Sequence, residues 1–382
     1  MNNRLEIYIH IPFCIRKCNY CDFLSFCASP EAQGRYVAQL LQELARAASD
    51  VSDYEVSSVF IGGGTPSLLP EVYITQIMDT VRQNYSLADD AEVTIECNPG
   101  TTMRHKFAAY RDAGINRLSI GLQSTDNAEL RMLGRSHSFE EFLKSYQGAR
   151  MEGFDNINVD LIDCIPMQSL KTWKKTLKTL LMLKPEHVSV YNLIIEEGTP
   201  FHDMRSEGLL MMPSEEEQEA IDSFTKEYMA RQNYRRYEIS NWAREGHECR
   251  HNIGYWTGVP YLGFGLGASS YFGGTRWKNI SDFSRYMDLN MAKAPAEELR
   301  EEVQVLSREA QMEEFMFLGL RMLEGVSSTE FQLRFGQHLD SVYGKVLDKN
   351  IIDGLIESRN GRIRLTDRGL DVSNAVMSEF LF

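Results

Sequence analysis

Three cysteines, Cys14, Cys18 and Cys21, fall within eight residues and are separated by three positions and then two. One loop can therefore wrap three sulfurs around a compact object. Iron–sulfur clusters are held by thiolates, and the common cubane takes four. A loop that offers three leaves one iron without a protein ligand, and an open metal position is what catalytic sites keep and structural sites close. A zinc knuckle is the competing reading. It needs a fourth ligand, which Cys27 or His10 would have to supply, and no second cysteine pair follows in the chain.

The elements that must position this loop repeat one unit. Ile7 to Ile11 reads as a short apolar strand ahead of the cysteines, and Ser29-Pro30-Glu31 opens a helix running to about Ala48. Strand and helix then alternate. Strands are expected at Val56 to Ile61, Glu92 to Cys97, Asn116 to Gly121, Asn156 to Asp163 and His187 to Ile194, with helices between them. Such alternation predicts a parallel sheet built from right-handed crossover units. Six units fit either a partial barrel or a doubly wound sheet. In a barrel the chemistry sits in loops after the strands, where the cysteine loop falls.

The other post-strand loops carry residues suited to a ligand. Gly62-Gly63-Gly64-Thr65-Pro66 follows the second strand, where glycines allow close backbone approach or simply a tight turn. Glu96 ends the third strand, Gly121-Leu-Gln123-Ser the fourth, and Leu133-Gly-Arg135-Ser-His lies beyond. Asp160 interrupts an apolar strand, which is unfavourable unless the charge is paired. A buried salt bridge is its bland explanation.

Composition bounds the rest. The 382 residues suggest two to three domains, and 43% hydrophobic with 25% charged residues is ordinary for a globular protein. No apolar run approaches the roughly 18 residues of a membrane span, and the first residues lack a signal-peptide pattern. A cytoplasmic location is expected. Seven cysteines, an odd number, suit a reducing compartment. A net charge of −14 argues against a broad nucleic-acid surface.

The cysteine spacing resembles that of the radical S-adenosylmethionine (SAM) superfamily. The resemblance implies a partial (β/α)6 TIM-like barrel with a 4Fe-4S cluster on Cys14, Cys18 and Cys21, SAM at the fourth iron, and an electron donor such as a flavodoxin or ferredoxin. Tyr8-Ile-His-Ile-Pro-Phe-Cys, the glycine motif, Glu96-Cys-Asn-Pro, Gly121-Leu-Gln-Ser, Leu133-Gly-Arg-Ser-His and Asn158-Val-Asp-Leu-Ile together resemble the oxygen-independent coproporphyrinogen III oxidase group. By that resemblance Tyr8, Tyr20, Gly63, Gly64, Thr65, Glu96, Gln123, Arg135, Asp160 and Ile194 match positions that contact one or two SAM molecules.

Two features separate branches of the group. True oxidases carry a fourth cysteine two residues after the third, and Phe23 stands there. His251-Asn-Ile-Gly-Tyr-Trp256 resembles the His-Asn-x-x-Tyr-Trp motif of the heme chaperone (HemW-like) branch, which implies heme binding through His251 and transfer to an acceptor protein. The decarboxylating oxidase is the alternative function. A histidine beside Tyr and Trp is otherwise usually a packed, hydrogen-bonded residue, and an imidazole is also a natural heme ligand.

Domains are expected at residues 1–200 (barrel), 201–300 (accessory segment) and 301–382. Within the accessory segment, Tyr261-Leu-Gly-Phe-Gly-Leu-Gly-Ala reads as close backbone packing against the barrel, with an anion nest as the competitor. Helices at Met312 to Leu323, Ser328 to Phe335 and Ser341 to Lys349 precede a hairpin around Asn360-Gly361, a winged-helix-like pattern. Residues 326–382 hold seven Lys and Arg against eight Asp and Glu, so structural or partner docking is preferred to nucleic-acid binding. A homodimer is open.

Overall fold

Six strand–helix units organise the computed structural model, which describes residues 3–382. The strands are β1 (Arg4–Ile11), β2 (Glu55–Gly63), β3 (Ser86–Cys97), β4 (Arg117–Gln123), β5 (Ile157–Asp163) and β6 (His187–Asn192). Between them run α1 (Pro30–Ala47), α2 (Glu71–Asn84), α3 (Arg104–Asp112), α4 (Asn127–Met132), α5 (Phe139–Met151) and α6 (Leu170–Leu181). The strands lie side by side in chain order, and all their pairings are parallel. A doubly wound sheet reverses direction at a switch point. No reversal occurs here, so successive right-handed crossovers put every helix on one face, and the sheet is a partial barrel.

Alternation along the strands divides two environments. Ile7, Ile9, Val59, Ile61, Ile95, Ile120, Val159 and Val188 point outward into a core shared with Leu40, Phe107, Phe142 and Trp173 of the helices. The residues between them, among them Tyr8, Phe60, Glu96, Ser119, Asp160 and Ser189, line an internal cavity. Side chains two apart share a face of a strand, so the outward set holds the barrel together and leaves the inward set available for chemistry. β3 starts at Ser86, earlier than the apolar pattern suggests, because Ser86 and Leu87 pair with Glu55 and Val56 before a register shift.

The accessory segment extends the sheet on both edges. After α7 (Pro200–Ser206) and α8 (Glu215–Arg231), strands β7 (Arg235–Arg236) and β8 (Asn241–Ala243) add antiparallel beyond β6. After α9 (Arg250–Thr257), β9 (Tyr261–Phe264) pairs parallel with β1, and β10 (Ser269–Phe272), β11 (Thr275–Asn279) and β12 (Arg300–Val305) continue outward. Short helices α10 (Phe283–Asp288) and α11 (Ala296–Leu299) connect the last two strands. In the glycine-rich run, a side chain at Gly263 would fall on the Ser269 carbonyl oxygen, which shows why close packing demands glycine there. Gly265 N–H donates to the buried Glu43 carboxyl at 3.1 Å and Leu266 N–H to Tyr36 OH at 2.9 Å, so the run's amides are bonded within the chain.

The remaining residues form a smaller core of Met316, Phe331, Phe335, Tyr343, Ile363 and Phe380. It is built by α12 (Arg308–Gly319), β13 (Val326–Ser327), α13 (Ser328–Phe335), α14 (Leu339–Ile352) and the hairpin β14 (Ile356–Arg359) with β15 (Arg362–Leu365). Asn360 and Gly361 both adopt positive φ, 52° and 72°, as a two-residue hairpin turn requires.

Candidate functional site

The post-strand loops converge on a cavity of about 570 Å³ that all the candidate residues line. Cys14, Cys18 and Cys21 are half-buried free thiols on its wall. Their loop is stitched to the C-terminal end of α4: Asn19 N–H donates to Leu133 O at 3.0 Å, Asn19 Nδ2 to Met132 O at 2.8 Å, and Arg16 to Gly134 O at 2.7 Å. Phe201 N–H of α7 donates back to Asn19 O at 3.0 Å. Burial pushes the Cys21 thiol up to about 11. The proposed fourth zinc ligands are engaged elsewhere: Cys27 Sγ donates to Ile15 O at 3.0 Å, and His10 bonds Tyr8 OH at 3.0 Å and Leu24 O at 2.9 Å. Among the described residues, no three His, Cys, Asp or Glu side chains converge on a point that would hold one metal ion.

The glycine loop lies against this wall. Gly64 has no room for a Cβ, which would meet Phe13 O at 2.8 Å and Cys14 Sγ at 3.1 Å, while Thr65 Oγ1 lies 3.6 Å from that sulfur. Gly63, at φ +115°, donates its N–H to Glu96 Oε2 at 3.0 Å. Burial, and secondarily the nearby Asp160, push the Glu96 carboxyl up to about 8. Asp160 is raised by burial too, and its oxygens accept from neutral groups, Ser119 Oγ at 3.0 Å and Asn158 Nδ2 at 2.8 Å. The salt bridge that would explain Asp160 as mere structure is not formed.

Arg135 supplies positive charge beside the thiols, with Nη1 at 3.7 Å from Cys18 Sγ and Nη2 donating to Asn98 Oδ1 at 2.9 Å and Gly121 O at 2.8 Å. Its Nε and the Oε1 of Gln123 are buried without partners. The hydroxyls of Tyr8 and Tyr20 are held protonated by burial. Ile194 lies two residues past the end of β6 and is 67% exposed, on the rim rather than within a strand.

His251 lies in the first turn of α9. Glu92 fixes the start of α9 by accepting from Arg250 N–H at 3.1 Å and His251 N–H at 3.2 Å. The ring is 2% exposed, stacks on Phe60, and bonds Ser58 Oγ through Nδ1 at 2.8 Å and Tyr255 OH through Nε2 at 2.9 Å. Burial, and then Arg117, lower its pKa to about 3, so it is neutral. It forms part of the cavity floor, level with the start of the strands and away from the thiols. Both ring nitrogens are already engaged.

Several lining residues escaped motif reading: Arg117, Ser119, Ser189 and Tyr191. Their signal was present as polar side chains at every second position of apolar strands, where each one has to face a cavity or a partner.

Comparisons with known proteins agree with this geometry. Residues 8–180 match the radical SAM superfamily and residues 306–372 the HemN C-terminal domain. Over 98% of both sequences, the chain is 36% identical to the heme chaperone HemW of Bacillus subtilis. It is 32% identical to that of Escherichia coli, over 99% of this chain and 98% of the relative. The solved structure of the Escherichia coli coproporphyrinogen III oxidase HemN, a radical SAM enzyme, superposes with a TM-score of 0.86 over 99% of this chain and 90% of its own at 23% identity, which establishes a shared fold. The chain belongs to the HemW family of radical SAM proteins.

Proposed function

We propose that the protein is a heme chaperone in which the barrel cavity holds a 4Fe-4S cluster and SAM, and heme is carried for delivery to an acceptor protein. The observation that supports this best is the convergence of Cys14, Cys18 and Cys21 with the glycine loop, Glu96, Arg135 and Asp160 on one cavity. Thiols that do not meet at a single-ion point suit a cluster, where each sulfur binds a different iron. The donor set also fits SAM. Gly63 and Gly64 bring bare backbone to the cysteine wall, Glu96 and Asp160 lack cationic partners that an ammonium and a sulfonium would provide, and Gln123 Oε1 and Arg135 Nε await hydrogen bonds. A reduced cluster would supply an electron to SAM, drawn from a flavodoxin- or ferredoxin-like donor. In this reading Arg135 tempers thiolate charge, and Glu96 gives up its proton as the ammonium arrives.

Phe23, 62% exposed beside the thiols, occupies the place of the fourth cysteine of the oxidases. On this reading, heme engages the segment of the histidine motif, and His251 anchors or contacts it there. The experiment is anaerobic incubation of reconstituted protein with reductant, SAM and coproporphyrinogen III, followed by hemin loading and an apo-acceptor. Absence of protoporphyrinogen with hemin passed to the acceptor is expected. Many turnovers of porphyrin product would assign the oxidase reaction instead, and equilibrium dialysis would count one or two SAM per chain.

A further inference from the structure

Arg117 opens β4 with its side chain on the cavity wall, and it is 1% exposed. Among the described residues its guanidinium makes no hydrogen bond, no ion pair and no ring contact, and its Nε is sealed off without a partner. Buried charges are normally paired, because an unpaired one is strongly destabilising. We propose that the cavity floor around Arg117 is a binding site for the carboxylate of a small organic acid, held beneath SAM. The proposal rests on the SAM reading of the cavity mouth and adds a second ligand to it.

The groups that could neutralise Arg117 are committed elsewhere. Glu92 and Asp160 attract it, yet neither is in ion-pair contact with it. Glu92 accepts from the N–H groups of Arg250 and His251 and from Cys249 Sγ at 3.5 Å. Asp160 accepts from Ser119 and Asn158. The histidines that feel the guanidinium, His187 and His251, are neutral, since burial and then Arg117 itself lower both. The chain therefore supplies a cation at the floor and keeps its own anions away from it.

The neighbours indicate the class of ligand. Thr94, the register partner of Arg117 on β3, has a buried hydroxyl without a partner. Asn252 of α9 lines the same cavity, and its amide makes no hydrogen bond among the described residues. Guanidinium, hydroxyl and amide thus offer donors from three elements, and the planar fork of an arginine matches a carboxylate. One arginine between Glu92 and Asp160 suits a monoanion, whereas a phosphate dianion would be repelled by both carboxylates. Phe60 and Tyr255 give apolar wall for the carbon chain of the acid. Asp160 pairs with Gly121, four positions further along β4 than Arg117 and roughly 13 Å away at strand spacing. The floor therefore lies below the residues assigned to SAM.

The test is titration of cluster-loaded full-length protein with carboxyl-¹³C butyrate, followed by the line width of the label, with and without SAM. Butyrate should bind saturably in both states, its neutral isostere butyramide should not compete, and inorganic phosphate should bind more weakly. Arg117→Lys keeps the charge and loses the fork, so it should weaken butyrate about tenfold or more. In urea without ligand, Arg117→Met should unfold no earlier than the wild type, since it removes no hydrogen bond and replaces an unpaired charge with an apolar chain. Butyrate should then raise the wild-type midpoint and leave that of Arg117→Met unmoved. An Arg117→Met midpoint well below that of the wild type would overturn the proposal, because the guanidinium would be a structural cation balanced at a distance. Displacement of butyrate by SAM, tighter binding of phosphate, or no butyrate binding to a wild type that binds SAM would overturn it too, with the SAM reading intact. Butyrate binding by a wild type that fails to bind SAM would sink the SAM reading and keep the floor site.

Discussion

Replacing Glu96 with glutamine should make the metal-free protein more stable at alkaline pH. The carboxyl lies in the cavity with Gly63 N–H as its hydrogen-bond donor, and burial with Asp160 nearby lifts it from 4.5 to about 8. Because the folded value lies above the ordinary one, the native state holds this proton more tightly than the unfolded chain does. The group's contribution is therefore full below about pH 4.5 and is lost as pH rises through about 8. At about 1.4 kcal/mol per pH unit the full loss is at most about 5 kcal/mol, and water entering the cavity should reduce it to about 2–3 kcal/mol. A glutamine keeps the acceptor for Gly63 and cannot ionise. Urea unfolding of the reduced, metal-free protein at pH 5, 7 and 9 should show the two proteins diverging with pH, the variant being the more stable at pH 9 by about 2–3 kcal/mol. Other raised carboxyls cancel in this difference, including Glu43 and Asp163, both near 7. A constant difference across this range would mean that Glu96 is already ionised at neutral pH, and the argument that it awaits a cation would fail. In the cluster-loaded wild type, SAM binding at pH 7 should release a proton, detectable as a buffer-dependent calorimetric enthalpy that the variant lacks.

Three further outcomes follow from the same geometry. Cys18→Ala should lose the brown cluster chromophore after anaerobic reconstitution while far-ultraviolet circular dichroism shows an intact barrel; full iron content would refute the ligand assignment. Gly64→Ala should press a methyl against Phe13 backbone and Cys14 Sγ, lowering stability by about 1–3 kcal/mol and reducing iron per chain; unchanged iron loading would show that the loop yields without moving the thiol. Glu43→Ala should strip the acceptor from Gly265 N–H and Tyr286 OH, while Asn279 Nδ2 keeps the Gly263 and Gly265 carbonyls. Each buried donor left unpaired costs about 1–3 kcal/mol, so a chemical-denaturation change under 1 kcal/mol would mean that water or relaxation replaces the carboxylate.

Much of the site was legible because its chemistry is local. The three cysteines share one loop, Gly63 and Gly64 sit at one strand end, and Glu96 closes another, so type and spacing exposed them. Arg117, Ser119 and Ser189 were not found by motif, since each is a single polar residue whose meaning depends on which face of its strand looks inward. Ile194 was placed at a strand end and lies on the rim, two residues beyond. The accessory segment was least readable. Its strands β7 and β8 are two and three residues long, and they exist because β6 offers β8 an unpaired edge and β8 in turn offers one to β7, rather than through their own propensity.

The sequence by itself determined the strand–helix alternation, the cysteine loop that follows the first strand and the hairpin at Asn360-Gly361, because each rests on side-chain periodicity or turn chemistry within a few residues. Only the tertiary structure decided between a partial barrel and a doubly wound sheet, since crossover units of the same composition build either, and strand order is a property of packing. It alone also placed the two histidines: His251 and His247 are four positions apart, yet one is sealed at the barrel floor between Ser58 and Tyr255 while the other lines an open groove. Which imidazole is sealed depends on the strands and domains packed around α9, and those contacts come from residues far apart in the chain.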